Sequence, residues 1–308
     1  MIFIEYLQCW FIKLLGIFLR RFSLTRVQKM AAAFGRFCYN HVPIRRDVAI
    51  ANLRLCFPGK ENDELENILE KSYVNVATVF FEFLFFPKFT KENLKKVIEF
   101  PDESRRLIES ALERGRGLIL ISGHFSNWEL VALAIGAFSP KRFSVIVHPF
   151  HNKVVDKFAN EFRGLLGNST VAMENSVRTS ISTLRENGIV ALLADQSAAK
   201  EAVPAKFFGM DAPTYQGPAL FALRTHAAVQ FGFLLRKEDG TYRLHLHEID
   251  YADLKDDSSA SAQILTQRHV TALEGFIRES PEYWLWFHKR FKHVQAFQEK
   301  LREVNSVK

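Results

Sequence analysis

Apolar runs that predict buried strands alternate with amphipathic stretches that predict helices along most of the chain. Leu118 to Ile121 and Ile189 to Ala194 are short, continuous apolar runs, which is typical of strands covered on both faces. Residues 153–166 and 176–186 have the apolar spacing of helices. Strands that alternate with helices in this way predict an α/β fold, with a mixed, largely parallel central sheet flanked by helices.

The rest of the pattern extends this α/β prediction to both ends of the chain. Proline and glycine mark the expected breaks, with a helix over 24–56 interrupted at Pro43 and a hairpin turn at Asp239-Gly240. The other predicted helices cover 62–86, 101–114, 218–226 and 261–279, with a basic, aromatic helix from Pro281, and the other predicted strands cover 143–147, 229–235 and 242–248.

The N-terminal stretch 2–19 is apolar except for Glu5, Gln8 and Lys13, and basic residues follow it. The charges interrupt a full membrane span, and no small-residue cleavage site is present, so a secretory signal is not indicated. We therefore predict that residues 1–22 form a membrane-associating helix that lies in the interface or tilts steeply, ahead of a second region, 23–308. The alternative is a first helix buried in the globular fold. If the helix spans, the basic residues after it favour a cytoplasmic location for the remainder.

Composition narrows the class of partner. The net charge of +7 and the pI of about 9.3 favour anionic partners, and 29 phenylalanines can build broad apolar surfaces. Nothing resembles a nucleic-acid-binding module, a dinucleotide fingerprint or a phosphate-binding loop, and we expect no metal site. Cys9, Cys38 and Cys56 are odd in number and lack a neighbouring base, so we expect reduced, packing cysteines.

The candidate chemistry lies in Ile119 to Leu130, where a predicted strand ends at Gly123 and His124 follows. Glu129 comes five residues later, so His124 belongs on the loop and Glu129 in the first helical turn, where the helix dipole favours its ionised form. A histidine with a carboxylate can take the proton of a hydroxyl during acyl transfer. The alternative is structural, because Ser126-x-x-Glu129 is also a helix capping box.

A second pair of polar residues, Asp195 and Gln196, follows the strand predicted over 189–194. In largely parallel sheets, reactive groups gather beyond the carboxyl ends of the strands. His124 and Asp195 are both placed there by the pattern. The sequence therefore predicts that these two side chains lie at the same edge of the sheet.

Together, these motifs resemble a family, the late or secondary acyltransferases of lipid A biosynthesis, within the glycerolipid-type acyltransferase group. The likeness covers nearly the whole chain and is specific because of the order and spacing of its motifs. The segments that carry it are Arg45 to Ala49 with Asn52-Leu53 and Cys56 to Pro58, Gly123 to Glu129, Arg163 with Gly167, Asp195-Gln196, Phe207 to Gly209, Leu223 to Thr225, and Pro281 to Arg290.

The resemblance implies an O-acyltransferase of the lauroyl or myristoyl type at the cytoplasmic face of the cell inner membrane. The acyl donor would be a thioester, with acyl carrier protein favoured over coenzyme A, and the acceptor would be a hydroxyl of a lipid A precursor. His124 would be the general base assisted by Glu129, and Asp195 a second catalytic candidate or a structural acid. The chemistry requires no metal, cofactor or covalent enzyme intermediate.

The resemblance also implies residues that bind substrate. Backbone N–H groups near Phe125 and Ser126, or Arg163, would stabilise the oxyanion. The implied substrate-binding residues are Asn127, Arg163, Gln196, Arg224, Lys289 and Arg290, with the cations on acceptor phosphates.

The chain departs from the family pattern after Gln196, where Ser197 to Glu201 replaces a further acidic residue and glycine, with Glu201 the candidate substitute. It departs again at Thr225 to Ala227. An amino lipid or a glycolipid therefore stays open as the acceptor. A non-catalytic basic lipid-binding protein is the competing class.

Overall fold

The computed structural model of the protein describes residues 2–198, 202–254 and 256–306, so Met1 of the predicted anchor and the candidate Glu201 lie outside the described residues. The α-helices are α1 (Ile2–Leu19), α2 (Leu24–His41), α3 (Arg46–Cys56), α4 (Asn62–Phe85), α5 (Lys91–Val97), α6 (Asp102–Glu113), α7 (Trp128–Phe138), α8 (Lys153–Arg163), α9 (Ser176–Arg185), α10 (Gly217–Thr225), α11 (Ser259–Glu279) and α12 (Gln295–Ser306). The strands are β1 (Ile98–Glu99), β2 (Leu118–Ser122), β3 (Phe143–Val147), β4 (Ser169–Ala172), β5 (Ile189–Leu193), β6 (Ala202–Phe207), β7 (Met210–Tyr215), β8 (Ala228–Arg236) and β9 (Tyr242–Glu248).

Seven of these strands form one sheet, in the order β1-β9-β8-β2-β5-β3-β4. All neighbours are parallel except β8 and β9, which form an antiparallel hairpin around the turn at Gly240. This confirms the α/β prediction of a mixed, largely parallel sheet. The helices cover both faces, and the apolar residues of the strands divide between two buried clusters, one on each side of the sheet.

The register of β2 and β5 fixes what lies beyond their carboxyl ends. Leu118 pairs with Ile189 and Ser122 with Leu193, so the two strands end at the same level. His124 and Asp195 each lie two residues past a paired strand end. The sheet therefore brings them side by side, as the sequence predicts.

Several segments differ from the sequence prediction: α5, β1 and β4 were not predicted, and two further differences lie near the site. The basic, aromatic helix expected from Pro281 is only a single 3-10 turn, Pro281–Tyr283, followed by an irregular segment before α12 begins at Gln295. Its buried Trp284 and Trp286 pack in the core, and Phe125 pairs with Trp284 as an isolated bridge. The second difference is the β6–β7 hairpin, which the sequence pattern did not indicate.

The first helix packs one side against α4 and α8 and leaves the other side exposed. Lys13 is exposed but lies 5.6 Å from the ring centre of Phe158 on α8, and Arg20, just after the helix, donates to the Leu84 carbonyl at 2.8 Å. The outward side chains are large and apolar, and they are Ile4, Tyr6, Leu7, Trp10, Phe11, Leu14, Ile17 and Phe18. Among the described residues, no helix combines the length and apolar character that a membrane crossing requires.

The cysteines agree with the expectation of packing residues. Cys9, Cys38 and Cys56 are all free and buried. Burial raises the pKa of the Cys56 thiol well above its ordinary value, which keeps it protonated.

Candidate active site

The candidate base is carried by a short loop between β2 and α7. The loop begins at Gly123, where a Cβ atom would lie 3.4 Å from the carboxyl carbon of Asp195 and 3.1 Å from Leu273. A Cβ here would therefore crowd the Leu273 side chain, whereas its approach to Asp195 would be an ordinary contact. The loop ends at Asn127, whose side-chain oxygen accepts from the Leu130 N–H at 2.9 Å and caps α7.

The imidazole of His124 is held by Asp195 and not by Glu129. Nδ1 of His124 lies 2.8 Å from Oδ1 of Asp195, and the backbone N–H of His124 donates to Oδ2 at 2.8 Å. The indole N–H of Trp284 donates to the same Oδ2 at 2.9 Å. The Asp195 side chain is 2% exposed and the His124 side chain 18%, so the carboxylate is buried while the ring opens to solvent.

These contacts fix the charge of Asp195 and the tautomer of His124. Burial would raise the pKa of Asp195, but the attraction of His124 and the hydrogen bonds from His124 and Trp284 outweigh it and lower the pKa to about 2. An ionised carboxylate only accepts hydrogen bonds, so Nδ1 carries the proton. With the proton on Nδ1, a neutral ring presents a lone pair on Nε2.

Gln196 lies next to that lone pair. Its Nε2 is 3.3 Å from Nε2 of His124, so the amide N–H donates to the ring nitrogen. Gln196 is exposed, and its side chain lies where a substrate hydroxyl would have to approach. The indole of Trp128 packs on the other side, with its ring centre 5.3 Å from that of His124.

Glu129 makes a different ion pair, which corrects the prediction that it assists His124 directly. Its two carboxylate oxygens accept from Nη2 and Nε of Arg163, at 2.6 and 2.9 Å. Burial would lower the pKa of Arg163, but the contact with Glu129 raises it above its ordinary value, so the guanidinium stays charged. The alternative capping box is also wrong, because the Ser126 hydroxyl is buried without a hydrogen-bond partner.

A cavity of about 620 Å³ opens beside His124. It lies between α7 and the face of the sheet at β2, β5 and β3. Its mouth carries the polar groups His124, Glu129, Arg163 and Gln196, and its interior is lined by apolar side chains that include Leu120, Val131, Leu133, Val145, Ala191 and Leu193. A deep apolar cavity with a few polar groups at its mouth can hold an alkyl chain with its reactive end beside the imidazole.

The other predicted substrate contacts are not brought to this cavity. Asn127 is 1% exposed and donates to Glu82 at 2.5 Å, on the far side of the loop. Arg224 is exposed on α10 and lies 3.5 Å from Asp257. Lys289 is exposed on the surface. Arg290 is buried and donates to the Pro213 carbonyl and the Thr214 hydroxyl, at 2.5 and 2.6 Å.

The expected oxyanion donors are also engaged elsewhere. The N–H of Phe125 donates to the Gly123 carbonyl at 2.7 Å, and that of Ser126 to the Tyr283 carbonyl at 2.9 Å. Arg163 lines the cavity but is shared with Glu129. Gln196 is therefore the neutral side-chain donor that lies nearest to Nε2 of His124 among the described contacts.

Two residues that contact the site from the protein interior, Trp284 and Glu82, were not predicted from the sequence. Trp284 belongs to the last motif of the resemblance, but nothing in its spacing indicates a hydrogen bond to Asp195. Glu82 lies in an apolar helical stretch, among phenylalanines. This position is the sequence signal that could have identified it, because a buried carboxylate requires hydrogen-bond donors around it.

The chain is similar to proteins of known family over nearly its whole length. The family model described as bacterial lipid A biosynthesis acyltransferase matches residues 2–293. The chain belongs to that family. The site just described is thus the candidate active site of a lipid A biosynthesis acyltransferase.

Individual relatives agree with the family. A lipid A biosynthesis acyltransferase of Haemophilus influenzae is 27% identical over 84% of this chain and 79% of its own length. A lipid A biosynthesis palmitoleoyltransferase of Escherichia coli is 24% identical, over 87% and 83% respectively. A lipid A biosynthesis lauroyltransferase of Escherichia coli is 22% identical, over 86% and 85%. Since relatives named for different acyl chains match similarly, the lauroyl or myristoyl type expected from the resemblance is not resolved.

Proposed function

We propose that this lipid A acyltransferase moves a fatty acyl chain from an acyl thioester to a hydroxyl of a lipid A precursor, with His124 as the general base and Asp195 as its partner. The observation that carries the proposal is the His124 imidazole, whose Nδ1 is held by a buried carboxylate at the mouth of an apolar cavity. The lone pair on Nε2, which Gln196 contacts, is the group that can accept a proton from a substrate hydroxyl.

The reaction proceeds by direct transfer. The acceptor hydroxyl replaces the Gln196 amide at Nε2 of His124 and gives its proton to the ring as its oxygen attacks the thioester carbonyl. A C–O bond forms, and the resulting oxyanion collapses with cleavage of the C–S bond. The thiolate leaves and takes the proton from the imidazolium. Asp195 remains ionised throughout and stabilises the transient positive charge on His124.

The displaced Gln196 amide and the Arg163 guanidinium are the proposed donors to the oxyanion, since the loop N–H groups of Phe125 and Ser126 are bound elsewhere. Glu129 has an indirect role in this account. Its bidentate contact holds the planar guanidinium of Arg163 in one orientation at the cavity mouth.

The proposed donor is an acyl carrier protein, with coenzyme A as the alternative. The net charge of +7 supports an acidic carrier, because opposite charge accelerates encounter. The acyl chain would enter the 620 Å³ cavity along α7, with Ala191 and Val145 on the sheet side.

The first helix is proposed to hold the protein at the cytoplasmic face of the inner membrane. Its exposed side includes Trp10 and Phe11, and this side would lie in the boundary between headgroups and acyl chains. Asn152 donates to the backbone carbonyl of Glu5 at 3.3 Å and to Gln8 at 3.0 Å. Because His148 to Phe150 line the cavity just before Asn152, a lipid could pass from the membrane surface to the site over a short distance.

The test is acyl transfer by the purified protein, with an acyl carrier protein thioester and a Kdo-bearing lipid A precursor. Wild type should form the acylated product, and His124→Ala should lose on the order of 10³-fold or more in kcat. Exposed His247→Ala, on β9 and away from the strands that line the cavity, is the matched control. If wild type and His124→Ala bind lipid vesicles equally and neither transfers an acyl chain, the lipid-binding class is correct and the enzyme proposal is wrong.

A further inference from the structure

A buried carboxylate lies directly behind the loop that carries His124, on the side away from the cavity. Glu82 on α4 has no exposed surface. A buried charge of this kind is stable only when its oxygens are hydrogen bonded and a countercharge is near. Glu82 takes no part in the proposed transfer. Any role in the reaction must therefore act through the residues that it contacts.

All the polar partners of Glu82 are donors. Oε1 accepts from Nε2 of Gln28 at 2.7 Å, and Oε2 accepts from Nδ2 of Asn127 at 2.5 Å and from the Tyr242 hydroxyl at 2.7 Å. Neither amide can be turned around. The oxygen of Asn127 is bound by the Leu130 N–H, and the Gln28 nitrogen also donates to the carbonyl of residue 240.

The negative charge of the Glu82 carboxylate is countered by one nearby cation, Arg236. Burial raises the pKa of Glu82 above its ordinary value, and nearby Arg236 and the three donors offset part of that rise. Arg236 is itself fixed by a 3.0 Å hydrogen bond to the Asn75 oxygen. The groups around the carboxylate therefore favour an acceptor at both of its oxygens.

Asn75 lies seven residues before Glu82, on the same face of α4. Its amide donates to the Tyr283 carbonyl at 3.2 Å and lies 3.4 Å from the Ser126 carbonyl. The Ser126 N–H donates to that same Tyr283 carbonyl at 2.9 Å. One face of α4 thus contacts two successive residues of the catalytic loop, Ser126 and Asn127.

The loop needs such contacts because its backbone is strained. Ser126 has φ of 51°, a left-handed conformation that costs a non-glycine residue free energy. It lies two residues after His124, so relaxation of this turn would move the imidazole. Strained backbone persists at a functional site when the surrounding structure holds it.

We propose that Glu82 is a positioning residue: through Asn127 it holds the loop that keeps Nε2 of His124 aimed at the substrate. The inference rests on the proposed acyl transfer, and it adds a residue that touches neither substrate nor the imidazole. Loss of the Glu82 contact should let the loop move while leaving the cavity intact. The effect should therefore fall on kcat, with little change in KM.

The first variant is Glu82→Gln. Its amide presents an N–H₂ group either to Gln28 or to Asn127, both of which are locked as donors. We expect kcat to fall on the order of 10- to 100-fold, since small displacements of a catalytic group have effects of that size, with KM within about 3-fold. Glu70→Gln, a half-buried position on the same helix, is the matched control and should keep wild-type kcat.

The second variant reverses the polarity of the contact. In Glu82→Gln with Asn127→Asp, the new amide donates to the new carboxylate, which can still cap α7. We expect the double variant to recover kcat to within about 5-fold of wild type. Asn127→Asp alone sets two carboxylates against each other and should remain impaired. A purely structural role would lower the melting temperature of Glu82→Gln but leave kcat per folded enzyme unchanged, so thermal melting is measured beside the kinetics.

The third variant keeps the proposal testable if Glu82→Gln does not fold. Asn127→Ser retains an oxygen that can cap α7 but removes the contact with Glu82, so it should show the same loss of kcat. A folded Asn127→Ser or Glu82→Gln protein with wild-type kcat would overturn the inference, as would a double variant no better than the singles. If wild type itself transfers no acyl chain, the proposed function fails instead.

Discussion

Two carboxylates near the cavity mouth, Asp195 and Glu129, have different partners. Glu129 is five residues from His124 in the sequence, yet it binds Arg163 through both oxygens. Asp195 is 71 residues from His124, yet it binds both the ring and the backbone N–H of that residue. Closeness along the chain therefore did not decide which acid serves the imidazole.

The register of the sheet explains the difference. β2 and β5 are parallel neighbours that end together at Ser122 and Leu193, and His124 and Asp195 are each two residues further on. Glu129 lies in the first turn of α7, and its side chain points to the adjacent α8. The aligned strand ends thus place Asp195 beside His124. The position of Glu129 on α7 places it beside Arg163 of α8.

Neutralising Asp195 should have the larger effect of the two acids. In Asp195→Asn the amide can donate to Nδ1 of His124 and favours the wrong tautomer, with the proton on Nε2. We expect kcat to fall on the order of 10³- to 10⁴-fold, the effect that such a change has in a serine protease triad. Steady-state kinetics of acyl transfer measures it, with circular dichroism to confirm the fold. A loss below about 10-fold would contradict the assignment of Asp195.

Neutralising the other acid should have a smaller effect. Glu129→Gln leaves the imidazole and Asp195 untouched but frees the orientation of Arg163. We expect kcat/KM to fall on the order of 10- to 100-fold, because a donor at the cavity mouth is no longer held in place. Arg163→Lys, which keeps the charge but loses the two-pronged contact, should match it.

Asp195 should also affect the stability of the folded protein in acid. The pKa of Asp195 is about 2 in the folded protein, against an ordinary 3.8, so its ionised form is favoured by folding. That contribution is complete above about pH 4 and is lost as the pH falls from 4 through 2; it amounts to about 2 kcal/mol. The free energy of unfolding of Asp195→Asn should therefore fall less steeply than that of wild type over this range. Parallel slopes for the two proteins would contradict the pKa.

Much of the fold could be predicted from the sequence. The apolar strands and the alternation with helices gave the parallel sheet, because burial on both faces leaves a continuous apolar run. The position of His124 and Asp195 at one edge followed from that topology. The β6–β7 hairpin was missed because Ala202–Phe207 contains a lysine and a proline, and because phenylalanine stands before Gly209 in its turn where Asn or Asp is the usual signal.

The partners within the site could not be predicted in the same way. Whether His124 meets Glu129 or Asp195 depends on the strand register and on the direction of a helical side chain, which a local pattern does not contain. The contacts of Glu82 and Trp284 depend on packing between segments 45 to 160 residues apart. Asn127 was predicted as a substrate contact because the family resemblance implied it, but its side chain is buried and donates to Glu82.

The central claim is that Asp195, and not Glu129, fixes the imidazole of His124 with its proton on Nδ1. Nitrogen-15 NMR of histidine-labelled protein tests it most directly, with His124→Gln to assign the ring among the ten histidines. At a pH where the ring is neutral, we predict a protonated Nδ1 and a bare Nε2 in wild type and in Glu129→Gln, and loss of that pattern in Asp195→Asn. The pattern lost in Glu129→Gln but kept in Asp195→Asn would contradict the account.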